Sequence, residues 1–263
     1  DGSLLEVSIE QCLSQAHRIY GLSDPSPLVV CGTHRLLVAI LQFIYHPSDL
    51  SQMEDLWTQR HFDEGHLTDF AQQHAQFLDL FHPQYPFLQT YDSPSPQEQK
   101  TVALLLAEVP TGTNRTLFNH VNDDTHAFCP ACCARGLVSI PAFASSGGKG
   151  FRPSINGVPP IYVVPMGQTL FDSLALSILT PEHQPTKADP KRADTVPWGM
   201  QAQIQKNYTA EVPGYIESLL FPARCVRLVP DTQSGFCTQC GSSAAVLIRE
   251  ISYEMGHWLD KEI

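Results

Sequence analysis

Positive charge is scarce in this 263-residue chain: 16 Lys and Arg stand against 27 Asp and Glu, a formal balance of −11. That deficit excludes a protein that coats nucleic acid through a broad basic face, so any contact with DNA or RNA must be local. Long hydrophobic runs are missing too. The longest apolar stretch, RLLVAILQFIY at 35–45, falls well short of the roughly 20 residues a bilayer crossing requires, and no charged-then-apolar leader opens the chain. The first residue is Asp1 rather than Met, which weakens the inference from a missing leader. The expectation is a soluble protein of the cytoplasm.

Catalytic signatures are equally sparse. Eleven histidines are present, but none forms His-Glu-x-x-His, and the group His61, Asp63, Glu64 and His66 has no second matching element nearby. It reads as a solvated helix entrance. A zinc hydrolase built on His61, Glu64 or His66 would need a second metal site that the sequence does not offer. Gly147 to Gly150 (GGKG) lacks both the Ser or Thr after the lysine and the earlier glycine of a phosphate-binding loop, and Gly-x-Ser-x-Gly is absent. The expectation is a binding module rather than an enzyme.

What is present begins with 43% apolar residues, enough for a substantial core in one large domain or two unequal ones. Apolar spacings of three and four predict helices over 9–20, 33–45 and 70–81, with Ser8 and Asp69 as caps of the first and third. A further short helix is predicted over 97–107. From 111 onward glycines, prolines and short strand-like segments dominate, with one helix at 169–179 and strands near 226–229 and 244–251. No repeat of fixed period is present. The fold class is therefore α+β, a helical N-terminal third followed by a mixed strand and helix region. Basic residues cluster twice, as Arg135, Lys149 and Arg152 near the glycines and as Lys187, Lys191 and Arg192 in the Pro-rich stretch 180–197, which reads as a surface loop.

Eight cysteines could signal disulfides, but the chain is too large to need staples and they fall in a grouped pattern. Cys129 and Cys132 (FCPACC) and Cys237 and Cys240 (FCTQCGS) are Cys-x-x-Cys pairs on short turns, each preceded by Phe. Four thiolates in a tetrahedron satisfy a structural Zn2+ and leave no open position for catalysis; iron accepts the same ligands. Cys133 is an alternative to Cys132, with the two-residue spacing favouring Cys132. Cys12, Cys31 and Cys225 sit among apolar neighbours and read as core thiols.

Several pieces recur in a telling order: YPFLQT (85–90), TGTNRTLFNH (111–120), the first cysteine pair, SSGGKGFRPSINGVPP (145–160), the helix at 169–179, Trp198 and the second pair. This order resembles the large subunit of the type I-E CRISPR surveillance complex Cascade, the CasA family, over nearly the whole chain. The resemblance implies a non-catalytic subunit that sits at one end of a guide-RNA particle, recognises the short protospacer-adjacent motif (PAM) in duplex DNA, helps open the strands and recruits a helicase-nuclease. Its partners would be the guide CRISPR RNA, target duplex DNA, and the backbone and small subunits, with base pairing reading the target sequence.

The resemblance also implies site residues. Ser145, Ser146, Gly147, Gly148, Lys149 and Gly150 match the loop that approaches the PAM, with Lys149 and Arg152 supplying phosphate attraction and the glycines letting backbone approach the minor groove. Asn114, Arg115, Leu117, Phe118, Asn119 and His120 match a loop that reaches the guide RNA end and a neighbouring subunit. Two departures stand out. Where the family places a lysine finger, the stretch 251–258 offers Met255 and His257 but no lysine. Family members also continue into a duplex-opening wedge and a C-terminal helical bundle, so residues 1–263 are expected to correspond to a single N-terminal-type domain.

Overall fold

The computed structural model describes residues 2–91, 99–109, 125–144, 151–155, 161–185, 194 and 204–259. Helix α1 (Ile9–Ser14) opens on the predicted Ser8 cap: the Ser8 hydroxyl accepts from the Gln11 N–H, and the Gln11 side chain accepts from the Ser8 N–H. It stops before residue 20 because the Ala16 and Ile19 carbonyls turn to accept the N–H groups of Phe171 and Leu170 instead.

Helix α2 (Pro27–Tyr45) extends the predicted 33–45 segment by nearly two turns, with Pro27 in the first turn and His46 in the left-handed region at its end. Its 19 apolar-rich residues are long enough to cross a membrane by length and composition alone. Eleven of them are buried inside the protein, including Leu36, Ile40 and Leu41, which makes α2 the central core helix. Helix α3 (Leu50–Gln59), capped by Asp49, has no counterpart in the sequence reading. Helix α4 (Glu64–His74) begins at Asp63, whose carboxylate accepts from the His66 N–H; Asp69 lies inside the helix and caps nothing. The His61–His66 group is thus the helix entrance it was read as.

Strand β1 (Gln99–Thr101) and the 3-10 turn Val102–Leu105 replace the predicted helix over 97–107 within its described part. Helix α5 (Pro130–Phe143) follows the first cysteine pair, and helix α6 (Leu170–Ala175) carries a Thr169–Asp172 capping box. Next come β2 (Tyr208–Ala210) and α7 (Tyr215–Leu219), whose first N–H groups, from Ile216 and Glu217, donate to the Asp194 carboxylate.

The predicted late strands are β3 (Arg224–Asp231) and β6 (Leu247–Met255), separated by the hairpin β4 (Gly235–Phe236) and β5 (Ser243–Ala244); β7 (His257–Leu259) follows. The main sheet is antiparallel in the order β1-β6-β3, with an irregularity at Val229/Pro230; β2 and β7 pair in parallel. The YPFLQT segment docks on β3: the Thr90 N–H donates to the Val226 carbonyl at 2.8 Å, and the Leu228 N–H donates to the buried Gln89 side chain at 2.9 Å. One contiguous core joins the helices to this sheet, and Cys12, Cys31 and Cys225 are buried as expected.

Two buried histidines give the fold an acid limit. Burial holds His34 and His257 at about 4, against an ordinary value of 6.5, with the Arg35 charge adding to the effect at His34. The His257 Nε2 accepts the Gln205 N–H at 3.0 Å, a bond that protonation destroys. Between pH 6.5 and 4 the unfolded chain binds protons that the folded chain refuses, so stability falls as pH drops through that window and levels off below about 4. Each histidine is worth on the order of 3 kcal/mol across it. Urea midpoints measured from pH 7 to 4 are expected to fall accordingly, and to fall less steeply in His257→Gln.

Candidate metal centre and nucleic-acid interface

The four predicted cysteines converge although 108 residues separate Cys129 from Cys237. Residues just before α5 are held from two sides. Phe128 exchanges backbone hydrogen bonds with Ile248 of β6 at 2.8 Å, and the Ala127 carbonyl accepts from the Thr238 N–H. Cys129 then serves as the cap residue of α5 and Cys132 lies in its first turn, so the first pair sits on a helix start rather than on a free knuckle. The second pair sits on the β4–β5 hairpin. There the Gly241 N–H donates to the Cys237 carbonyl, and Gly241 adopts φ +75°, a conformation glycine tolerates without strain.

All four sulfurs lie within 4.8 Å of one another, and Cys129 Sγ is 3.7 Å from Cys240 Sγ. A tetrahedral site with ~2.3 Å metal–sulfur bonds has sulfur–sulfur edges of ~3.8 Å, so the donor set fits a Zn2+-sized ion, whereas a disulfide would require ~2.05 Å. All eight cysteines are free thiols. Cys133 points instead into the core, fully buried, and burial pushes its thiol well up. Among the described residues, these four cysteines are the group with metal-ligating proximity.

Their electrostatics suit a cation. Burial, reinforced by Cys129 and Cys237, drives the Cys132 thiol upward, and burial raises Cys129 as well. Cys240 is exposed, and hydrogen bonds from the Ser242 hydroxyl and N–H lower it to about 6. One solvent-facing thiolate thus stands beside three buried sulfurs that a metal would hold deprotonated. The Cys129 N–H lies 3.2 Å from Cys237 Sγ, and a guanidinium N–H of Arg135 lies 3.6 Å from Cys132 Sγ.

Arg135 is itself gripped by Asp24 through two hydrogen bonds of 2.6 and 2.7 Å. This removes Arg135 from the basic cluster the sequence suggested and assigns it to the cysteine site; Asp24, 111 residues away, carried no sequence signal for that role. Replacing Arg135 with Leu is expected to speed metal loss to a competing chelator about tenfold, the usual scale for an outer hydrogen bond to a ligand. Release kinetics with a colorimetric chelator check this.

Of the predicted nucleic-acid residues, Asn114, Arg115, Leu117, Phe118, Asn119 and His120 lie outside the described residues, as do Ser145, Ser146, Gly147, Gly148, Lys149 and Gly150. The root of the second segment is described. The Ser154 N–H donates to the Ala144 carbonyl at 2.9 Å and the Ser154 hydroxyl to the Pro141 carbonyl at 3.0 Å, closing a neck at the end of α5. Arg152 is exposed, with its guanidinium carbon 3.4 Å from the centre of the Trp258 ring. The expected cation is therefore present, but on an aromatic support that the sequence reading did not anticipate.

A helical layer packed on a three-stranded sheet, with a four-cysteine cluster where the start of α5 meets the β4–β5 hairpin, defines a mixed helix-and-strand module of one particular class. Residues 1–260 match the family described as CRISPR-associated protein Cse1, and the chain belongs to that family. The CasA/Cse1 protein of Thermus thermophilus is 32% identical over 190 residues, which cover 69% of this chain and 38% of that protein. The crystal structure of Cse1 from Acidimicrobium ferrooxidans superposes with a TM-score of 0.73 at 23% identity, over 97% of this chain and 48% of the other. A chain of a CRISPR RNA-guided surveillance complex gives 0.70 at 18% identity, over 96% and 52%. The chain thus spans about half the length of these solved structures and less of the Thermus relative.

Proposed function

We propose that this chain is the N-terminal-type domain of a non-catalytic Cascade subunit that recognises PAM-containing duplex DNA, contacts the guide RNA end and supports recruitment of a helicase-nuclease in the cytoplasm. The observation that carries the reading is the family match across residues 1–260 together with the four-cysteine centre at the base of α5. Zinc would be structural: Cys129, Cys132, Cys237 and Cys240 would hold it and lock the start of α5 to the hairpin. The hydrogen bonds from Ser154 to the Ala144 and Pro141 carbonyls hold the two flanks of this segment together at the end of α5, which supports assigning DNA contact to Ser145, Ser146, Gly147, Gly148, Lys149 and Gly150. Asn114, Arg115, Leu117, Phe118, Asn119 and His120 are assigned to the guide RNA end and the adjoining subunit on the resemblance.

The test is duplex binding by the complex assembled with its guide RNA and partner subunits. Bulky or acidic replacements across 145–149 are expected to remove PAM preference and lower affinity at least tenfold, while leaving assembly intact. Unchanged affinity would sink the loop's role. A second reading, a zinc-stabilised scaffold making only protein contacts, is favoured by the internal pairing of several described cations: Arg60 with Asp172, Arg135 with Asp24, Lys206 with Glu254 and Arg249 with Asp231. Under that reading the same replacements, or loss of the metal, impair assembly and leave PAM preference alone.

A further inference from the structure

Arg152 stands apart from the paired cations. Its main chain is held on both sides: the N–H donates to Met255 Sδ at 3.3 Å, and the carbonyl accepts from the buried guanidinium of Arg224 at 2.9 Å. The preceding residue is fixed as well. The Phe151 ring stacks on Tyr253 at 6.2 Å with 27° between planes, and Arg224 and Lys100 place their cationic groups 5.1 and 5.3 Å from its centre. The side chain of Arg152, by contrast, has no hydrogen-bond acceptor or carboxylate among the described residues. Its guanidinium carbon sits 3.4 Å from the centre of the Trp258 ring, which β7 holds in place through its parallel pairing with β2 at Thr209.

A guanidinium stacked on an indole keeps its edge N–H groups free in a fixed fork, the geometry that grips a phosphate through two oxygens. Ordering such a side chain normally costs rotamer entropy; here the stacking has already taken that cost. The fork sits two residues beyond Gly150, the last residue of the glycine-rich segment 145–150. It also sits over the stretch 251–258, which offers no lysine.

We propose that the Arg152–Trp258 stack is a preformed clamp for one backbone phosphate of duplex DNA, anchoring the duplex beside the glycine-rich loop without reading its sequence. This rests on the nucleic-acid role proposed above. Arg152 makes the phosphate contact, and Trp258 is the positioning residue.

The experiment measures duplex affinity of the assembled guide-RNA complex as a function of salt, with PAM-matched and PAM-mismatched duplexes, for Arg152→Gln, Trp258→Leu and a bulky replacement of Gly147 and Gly148. Arg152→Gln is expected to weaken binding about tenfold on every PAM sequence and to reduce the slope of log K against log salt by about one. Trp258→Leu keeps the charge and hence the slope, while affinity falls about threefold through lost orientation. Because Arg152 is exposed and loses only its stack on Trp258, its variant should unfold within about 3 °C of the parent, which separates contact from folding.

If Arg152→Gln leaves affinity and slope unchanged while the glycine replacements abolish binding, the clamp is wrong and the loop reading survives. If neither set changes binding, both fall. A loss confined to one PAM sequence would make Arg152 a base reader and overturn the phosphate assignment. Loss of guide RNA from the purified complex would place the phosphate on RNA and overturn the assignment to DNA.

Discussion

Replacing Cys132 with serine is expected to abolish metal retention and to cost more than about 4 kcal/mol of unfolding free energy, against the roughly 10–16 kcal/mol typical of structural zinc binding. The cysteine centre joins Cys129 to Cys237 across 108 residues of chain. Closing a loop of that length in the unfolded state is worth about 4–5 kcal/mol on chain-entropy grounds alone. A serine hydroxyl cannot replace the thiolate, and three remaining sulfurs, two of them buried, would be left crowded together without a cation. Cys133→Ser provides the control. Its sulfur is buried in the core beside the site but outside the ligand set, so the variant should keep one metal per chain and lose only about 1–3 kcal/mol through a buried hydroxyl. Metal content and urea unfolding on the two proteins distinguish the cases; equal metal in both would transfer the ligand role to Cys133.

The second large effect is expected at Gly32 in α2. A Cβ there would fall on the Val138 carbonyl oxygen, 2.8 Å from the Val138 carbonyl carbon and 2.9 Å from the Ser139 Cα. These are backbone atoms of α5 that cannot rotate away, so Gly32→Val must push the two helices apart, at about 3 kcal/mol or more. Gly136 plays the corresponding part on α5, where a Cβ would meet Leu105 at 2.7 Å. Because α5 begins just after Cys129, displacing it also disturbs the cysteine tetrahedron. Gly32→Val should therefore lower both the thermal midpoint and metal affinity, and a full retention of zinc at a reduced midpoint would show that the centre is independent of this helix crossing.

Local chemistry explains which parts could be read from the chain and which could not. Cys-x-x-Cys spacing is itself a ligand geometry, so the four cysteines were identifiable before any fold was known, as was the Ser8 cap, which needs only Gln11 three residues later. The segment over 97–107 misled because Val102 and Leu105, three apart, are buried equally well by a single 3-10 turn, while Gln99 to Thr101 pair with Glu250 to Ser252 through tertiary contact. Helix α5 was missed because the cysteines and the proline at its start read as a turn; Pro130 occupies the first helical position, where its missing N–H costs nothing. Pairings across great sequence distance, Asp24 with Arg135 and Arg152 with Trp258, left no periodic trace.

The proposed role is tested most directly by the native mass and metal content of the particle formed when this chain is co-expressed with Cascade subunits and guide RNA. The expected result is one copy of the chain in an RNA-containing particle with repeated backbone subunits, carrying one zinc per copy. An isolated, zinc-loaded monomer that leaves the RNA particle behind would contradict that role while leaving the cysteine centre in place.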